Sequence, residues 1–402
     1  MSNYDIGIIG AGVAGAFATL RIAQEYSDAK TIVFDLGRPP MKRRRQLEGW
    51  LGCLPNSDGK LYQSDINKVT KLTGLRKAKS ANTWVSHVLE NIDSFKIIKD
   101  KPLGTNISKR ITKLGFNIIQ NDYMQMYPKE IHLLSKYISD IVDECKNITL
   151  SFDNEIKTVY KQKGYFIIVS EGQEIRCKKL VIAVGRSGWR WSRDLFKSFD
   201  IIENNDIARF GVRIEMNSSY MKDFIKSSCS IVRDDLELGP ISWNGTVIPE
   251  DHIDMAISAF RSNENRWNSN KVSFSLIGNL PYVNKGFEQT DRIGKLTFVL
   301  TNDRIIKERV SYILAGKSKI SIIPEYDWLA SSISEISGFM PEIINKGYYH
   351  APTIMPLAPK INIGNNLETE IDGMFVVGES AGVPGLLSAA LTGVIAIDSI
   401  CK

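Results

Sequence analysis

The chain is short of cysteine, of one-signed charge and of long apolar runs, and each shortage excludes something. Its five cysteines, Cys53, Cys145, Cys177, Cys229 and Cys401, are odd in number and scattered over 402 residues. None forms a C-x-x-C pair and none has a histidine at metal-ligand spacing, so no disulfide framework, redox dithiol or metal site is expected. They read as reduced thiols of a cytoplasmic protein. The opening MSNYDIGIIG has no basic region and no cleavage site, so no secretory leader is expected. The uncharged stretch from Ser380 to Ile397 is at the lower length limit for crossing a bilayer, and its Gly, Pro, Ser and Thr content favours a helix buried inside the protein. The 51 basic and 45 acidic side chains leave +6, which favours an anionic ligand but falls short of a dedicated nucleic-acid binder. With 43% hydrophobic and 24% charged residues, the composition is that of an ordered chain with a substantial core and length for two domains or one elaborated one.

What is present begins with YDIGIIGAGVAGAFATLRIAQEYSDAKTIVFD, which reads as strand, turn, helix, strand. Gly10, Gly12 and Gly15 stand in G-x-G-x-x-G spacing directly after the apolar run Ile6 to Ile9. Gly10 allows the tight turn, Gly12 lets backbone approach a pyrophosphate, and Gly15 lets helix pack closely on strand. The helix N-terminus then faces the phosphates with free N–H groups, and Ala14, Ala16, Leu20 and Ala23 form its sheet-facing side. The second strand, Thr31 to Phe34, ends at Asp35, twenty residues past Gly15, where an acid accepts from ribose hydroxyls and disfavours a 2′-phosphate. The alternative is a glycine-rich packing turn.

An NAD-dependent dehydrogenase would continue directly into a second alternation of strands and helices, and this chain does not. LGRPPMKRRRQLEGWLGCLPNSDGKLYQSD is a loop region, followed by a polar helical segment through Trp84 and His87. Alternation resumes with a helix at Ile131 to Cys145, a strand at Ile148 to Phe152, paired strands at Ile156 to Val159 and Tyr165 to Val169, and an apolar strand Leu180 to Val184 that ends at Gly185. Near the end, MFVVGESAGVPGLLSAALTG repeats the pattern of strand, glycine, acid and helix.

That order resembles the FAD-binding domain of the glutathione-reductase-like flavoprotein superfamily, with LVIAVG as the strand that returns to the dinucleotide. Within it, KRRR at Lys42 to Arg45, SDGKL at Ser57 to Leu61, GVRIE at Gly211 to Glu215 and the tail at Gly378 to Gly393 are similar to a group of largely uncharacterised FAD-dependent dehydrogenases. The resemblance implies an α/β fold: a Rossmann-like FAD-binding domain with a second, mostly antiparallel β substrate domain. Residues 1–190 would hold the first part of the FAD domain, interrupted at about 65–120 by a helical and loop segment. Residues 191–345 would form the substrate domain, and 346–402 would return to the FAD domain. It also implies noncovalent FAD contacts at Gly10, Gly12, Ala14, Gly15, Asp35 and Leu36 in the first unit. Further contacts fall at Arg43, Arg44, Ser57 and Gly59 in the loop, at Ile156, Ala183 and Gly185 around the returning strand, and at Gly378, Glu379, Gly382, Gly385, Leu386 and Leu387 in the tail. Glu379 would reach the ribityl chain or pyrophosphate, and the helix after Gly382 would turn its N–H groups to the flavin N1 and C2 carbonyl. Two acids depart from the usual pattern: Asp35 stands for Glu, and Glu379 for Asp.

The middle pieces GVRIEMN, GPISWNGTVIP, HIDMAISAF and KVSFSLIGNL read as a mostly antiparallel sheet, with helices around Ile305 to Leu314 and Asp327 to Ile336. No second G-x-G-x-x-G is present, so electrons would come from a small-molecule substrate, transient NAD(P)H or an electron-donor protein. Two catalytic candidates emerge. Lys60 would lie near the cofactor by the resemblance, with a phosphate or surface contact as its alternative. His350 is an acid–base candidate whose alternative is a structural histidine. The cluster Arg43, Arg44 and Arg45 reads either as an anion grip or as a solvated loop. Trp189 and Trp191 read either as flavin-pocket walls or as core. The expected function is an FAD-dependent oxidoreductase, against a flavin-dependent nucleic-acid-modifying enzyme or a non-catalytic binding protein on the same fold.

Overall fold

The computed structural model describes residues 3–39, 42–43, 46–92, 96–203, 207–252, 254–263, 269–281, 286–302, 304–355 and 360–402. The opening unit is β1 (Asn3–Ile9), α1 (Val13–Glu25) and β2 (Thr31–Phe34). A crossing segment carries β3 (Lys60–Tyr62), α2 (Ser64–Thr73), α3 (Leu75–Glu90), β4 (Ile97–Ile98), α4 (Thr105–Lys113), β5 (Asn117–Ile119) and β6 (Tyr123–Gln125). The alternation returns in α5 (Pro128–Glu144), β7 (Ile148–Ser151), β8 (Thr158–Gln162), β9 (Tyr165–Ser170) and β10 (Gln173–Ile182). After α6 (Trp189–Ser198) come β11 (Ile207–Asn217), β12 (Ser230–Arg233), β13 (Leu236–Leu238), β14 (Ser242–Trp243), β15 (Gly245–Asp251), β16 (Ala256–Ser262) and β17 (Lys271–Pro281). The last part holds α7 (Gly286–Thr301), β18 (Ile306–Arg309), α8 (Val310–Leu314), α9 (Trp328–Ile336), α10 (Glu342–Lys346), β19 (Tyr348–Ile354), β20 (Met374–Val376) and α11 (Leu386–Cys401).

The first sheet runs β7-β2-β1-β10-β9-β8, with β20 on β10. Its parallel strands β7, β2, β1, β10 and β20 meet in register, for example Ile8 with Val33 and with Val181. Apolar residues without alternation suit strands covered on both faces. Ile8, Val33, Val181 and Phe375 pack towards α1 and α11, while Ile9, Phe34, Ile182 and Val376 pack with Leu195 and Phe196 of α6. Gly393 brings α11 against α1, because a Cβ there would collide with the Ala14 carbonyl.

The second sheet runs β18-β19-β11-β17-β13-β12-β5, mostly by antiparallel pairing. Its central strand alternates: Ala208, Phe210, Val212, Ile214 and Met216 enter a core with α7 to α10, and Phe210 meets the Tyr326 ring edge-on at 5.2 Å. Arg209, Arg213 and Glu215 point to the other face, as period two requires. Across that face lies the first unit, and the β15–β16 hairpin reaches it through Ser262, whose amide donates to the Ser57 carbonyl.

Several sequence expectations change here. The stretch 346–402 divides: β19 pairs with β11 and β18 in the antiparallel sheet, and only β20 and α11 return to the first unit. The helix expected at Ile305 to Leu314 begins as β18 and turns helical at Val310, because Ile306 to Arg309 pair with β19. The 65–120 segment serves both units: α2 and α3 pack on α11, whereas β5 extends the antiparallel sheet. Among the described residues no helix is long and apolar enough to cross a membrane.

Candidate functional site

The glycine turn is built around two close backbone approaches. A Cβ at Gly10 would meet the Ala183 carbonyl and one at Gly15 would collide with the Gly10 carbonyl, so both glycines are required by the protein itself. Gly12 differs. Its backbone has φ −62 and ψ −169, open to any L-residue, and a Cβ there would find nothing nearer than 3.9 Å. Gly12 is half-buried, and a Cβ there would rest in ordinary van der Waals contact with Ala183 and Gly52, so the protein's own packing does not require a glycine at this position. Ala14 is buried behind it. Asp35 accepts from the amides of Ala11 at 2.6 Å, Gly37 at 2.7 Å and Gly49 at 2.7 Å. A carboxylate has about four acceptor sites. Asp35 thus holds the loop onto the turn and still keeps capacity for a ligand hydroxyl, while Leu36 beside it is exposed.

Arg43 donates to the carbonyls of Trp50, Gln46 and Gly52. Its guanidinium closes its own loop, a role the basic cluster did not suggest; Arg44 and Arg45 lie outside the described residues. The Leu51 amide donates to the Ala11 carbonyl at 2.9 Å and seats this loop on the glycine turn. Ser57 ties a local turn, with its hydroxyl donating to the Leu54 carbonyl and accepting from the Gly59 amide. Gly59 has φ +66, and a Cβ there would collide with the Met126 carbonyl.

After β10, Gly185 takes φ +55 and is followed directly by Arg186. Arg186 joins the two units: its Nε donates to Glu379 at 3.0 Å and its Nη1 sits 3.4 Å from Glu250 of β15. His252 Nε2 lies 3.2 Å from the same Glu250 oxygen. Burial alone would raise the Glu250 carboxyl, but Arg186 and His252 pull it down to about 2. Glu379 Oε1 is buried with no hydrogen-bond partner. Gly378 (φ +67) and Gly382 (φ +78) shape the turn around it, and Thr392 accepts the Gly378 amide. Ile156 and Ala183 are buried in the surrounding packing.

The N-terminus of α11 has an unforeseen neighbour. Asp65 of α2 is 1% exposed, and its carboxylate accepts from Ser388 at 3.4 Å, with Lys68 paired to it at 2.7 Å. Burial raises its pKa while Lys68 opposes the shift. A Cβ at Gly385 would strike that carboxylate, so the glycine admits Asp65 to the helix start. In this arrangement the helix N–H groups turn to a side chain of the protein. Leu387 is buried in the core and Leu386 half-buried against it.

Opposite this unit stands the polar face of the antiparallel sheet. Lys60 is 5% exposed; its ammonium donates to Ser228 Oγ at 2.7 Å and the Ile241 carbonyl at 3.0 Å, and lies 4.6 Å from the Tyr123 ring. Burial lowers its pKa to about 8. Ser242 of β14 donates to Asp58 at 3.0 Å, a further contact between the antiparallel sheet and the segment that follows β2. His350 lies within β19, opposite Arg213 in register, and burial lowers its pKa to about 4. Trp189 meets Phe287 edge-on at 4.4 Å in the antiparallel sheet's core, and Trp191 packs against α6's side of the first sheet. Sequence reasoning missed Arg186, Arg213, Glu250 and Asp65. Arg186 had a signal, since it follows the returning strand's glycine directly; Arg213 had another, a cation on the outward beat of GVRIE.

No protein-family model matches the chain, and no curated protein matches its sequence. Solved structures match its fold. L-proline dehydrogenase from P. horikoshii superposes with a TM-score of 0.50 at 10% identity, over 100% of this chain and 94% of that one. For glycine oxidase from Geobacillus kaustophilus the values are 0.46, 11%, 100% and 95%. For E. coli quinol fumarate reductase they are 0.48, 13%, 100% and 70%. The mixed parallel and antiparallel architecture is the FAD-binding Rossmann type of fold. The residues present fit such a group on their own chemistry: a bare glycine backbone at a helix start, a ligand-ready acid at Asp35, and an orphaned carboxylate oxygen on Glu379.

Proposed function

We propose that the chain is an FAD-dependent oxidoreductase acting on a small molecule in the crevice between the glycine turn and the polar face of the antiparallel sheet. The observation that carries this reading is the glycine at position 12 of the α1 N-terminus, which the protein's own packing does not require, and it is supported by the unpaired, buried Glu379 oxygen. The α1 N–H groups would hold the diphosphate, Asp35 a ribose hydroxyl, and Glu379 a ribityl hydroxyl. When bound, FAD supplies two-electron hydride chemistry at N5. The chain's own part is to close the crevice and set its charges. Arg186 holds Glu379 in place, and Lys60 supplies an amine that, at about 8, is shared between its charged and neutral forms near physiological pH.

The test is the visible spectrum of the purified protein, with chromatography of whatever is released on denaturation. Flavin absorption with FAD released is the expected result; a colourless protein that takes up no added FAD would sink the reading and favour a non-catalytic binding protein. Gly12→Ala sharpens the test. The new methyl fits the protein but fills the approach to the diphosphate, so flavin content should fall at least roughly tenfold with an unchanged far-UV circular dichroism spectrum. Full flavin occupancy in that variant would contradict the placement of the diphosphate.

A further inference from the structure

Arg213 is an anomaly in the crevice. Its Nε is buried with no hydrogen-bond partner, and among the described residues no ion pair reaches its guanidinium. The acids around it are committed elsewhere. Glu250 pairs with Arg186 and His252, Asp58 accepts from Ser242 and the Lys60 amide, and Glu215 pairs with Lys271 at 2.8 Å and Lys307 at 3.5 Å. Beside Arg213, in cross-strand register, stands His350, 3% exposed, with neither ring nitrogen hydrogen-bonded and its Nε2 4.0 Å from the Glu215 carboxylate. A half-buried cation with no ion pair next to an unsatisfied buried imidazole leaves both groups with bonds still to make. Both belong to the sheet face that closes on the first unit, where Arg213 feels Asp58, Tyr62, Glu250 and Arg186.

We infer that Arg213 and His350 form a subsite for the carboxylate of a small monoanionic ligand, so that the substrate of the proposed oxidoreductase is a carboxylic acid. This rests on the functional reading above. A planar guanidinium offers two parallel N–H donors that match a carboxylate edge. His350, neutral at physiological pH because burial lowers it to about 4, adds one donor and one acceptor suited to a hydroxyl or amine next to that carboxylate. The neighbouring carboxylates Asp58 and Glu250 oppose a second negative charge, which favours a carboxylate over a phosphate dianion.

The experiment measures thermal unfolding of the purified flavin-loaded protein against acetate, lactate and succinate, with lactamide, inorganic phosphate and ionic-strength-matched chloride as comparisons. Lactate is expected to raise Tm in a saturable way, more than lactamide or phosphate, by linkage to the folded state. In Arg213→Gln and Arg213→Lys the fitted affinity for lactate should fall by roughly tenfold or more, with Lys short of the wild type because it lacks the fork. His350→Gln should reduce the preference of lactate over acetate. Arg213→Met should fold with its flavin and be as stable as the ligand-free wild type, since it removes a half-buried cation that has no ion pair to lose. No saturable shift with any carboxylate, or equal lactate affinity in Arg213→Gln, overturns the inference. Flavin content of the same samples separates the two readings: flavin without a carboxylate effect sinks only the subsite, while absent flavin sinks the oxidoreductase reading first.

Discussion

At the scale of single residues, the crevice is controlled by charges taken out of water. Lys60 is the clearest case: its folded pKa of about 8 lies below the ordinary lysine value of 10.5, through burial. Between those two values the unfolded chain binds more protons than the folded one, so stability rises with pH across that window and the penalty is fully present below it. Replacing Lys60 with Met removes the penalty. The urea midpoint of the wild type should therefore climb towards that of Lys60→Met between about pH 8 and 10, and a constant gap over that range would show that Lys60 is not desolvated as described. His350 behaves in the opposite window. Held neutral down to about 4, it resists a proton that the unfolded chain takes up near 6.5, so it costs the fold stability as pH drops from 6.5 towards 4. His350→Gln should flatten that part of the acid limb of the stability profile.

At the scale of elements, the site depends on α1 and α11 standing close together behind the parallel sheet. Gly393 permits the approach and Thr392, one residue earlier, fixes the Gly378 turn that presents Glu379. Gly393→Ala forces a methyl into the Ala14 carbonyl, a backbone atom that cannot swing away, and should cost about 1–3 kcal/mol in urea unfolding. An unchanged midpoint would mean that the helices are not in that contact. The same contact explains why the uncharged tail, with its glycine, serine and threonine, is a buried helix: small residues face α1 while Leu387, Leu391 and Val394 enter the core.

At the scale of the whole molecule, one guanidinium ties the first unit to the β15–β16 hairpin. Arg186 links Glu379 of the first unit to Glu250 on the hairpin of the second, and both carboxylates are nearly buried. Arg186→Met leaves Glu379 without its ion pair and Glu250 with His252 alone, and should destabilise the protein by roughly 3–5 kcal/mol at neutral pH. Part of that loss is pH-dependent. Glu250, held at about 2 against an ordinary 4.5, contributes stability that is present above 4.5 and lost as pH falls towards 2. The difference between wild type and Arg186→Met in urea unfolding should therefore narrow from pH 7 to pH 3; a gap that stays constant would mean that Arg186 does not set the Glu250 carboxyl.

Local pattern was enough for the sequence to determine the β1–α1–β2 unit, the spacing of its glycines and Asp35, the apolar returning strand and the helix that ends the chain. Each is dictated by neighbours within some thirty residues, where periodicity and backbone sterics act directly. The alternation in GVRIEMN and KVSFSLIGNL likewise placed strands in the middle, although the helix at Gly286–Thr301, amphipathic but weakly so, was not foreseen. Tertiary structure alone decided which charges are paired. Arg43 turned inward to its own loop, Asp65 arrived at the start of α11 from 323 residues away, and β19 crossed to the antiparallel sheet, which put His350 beside Arg213. Those outcomes depend on desolvation and on which backbones approach across sequence distance, quantities that exist only once both sheets have closed on the crevice between them.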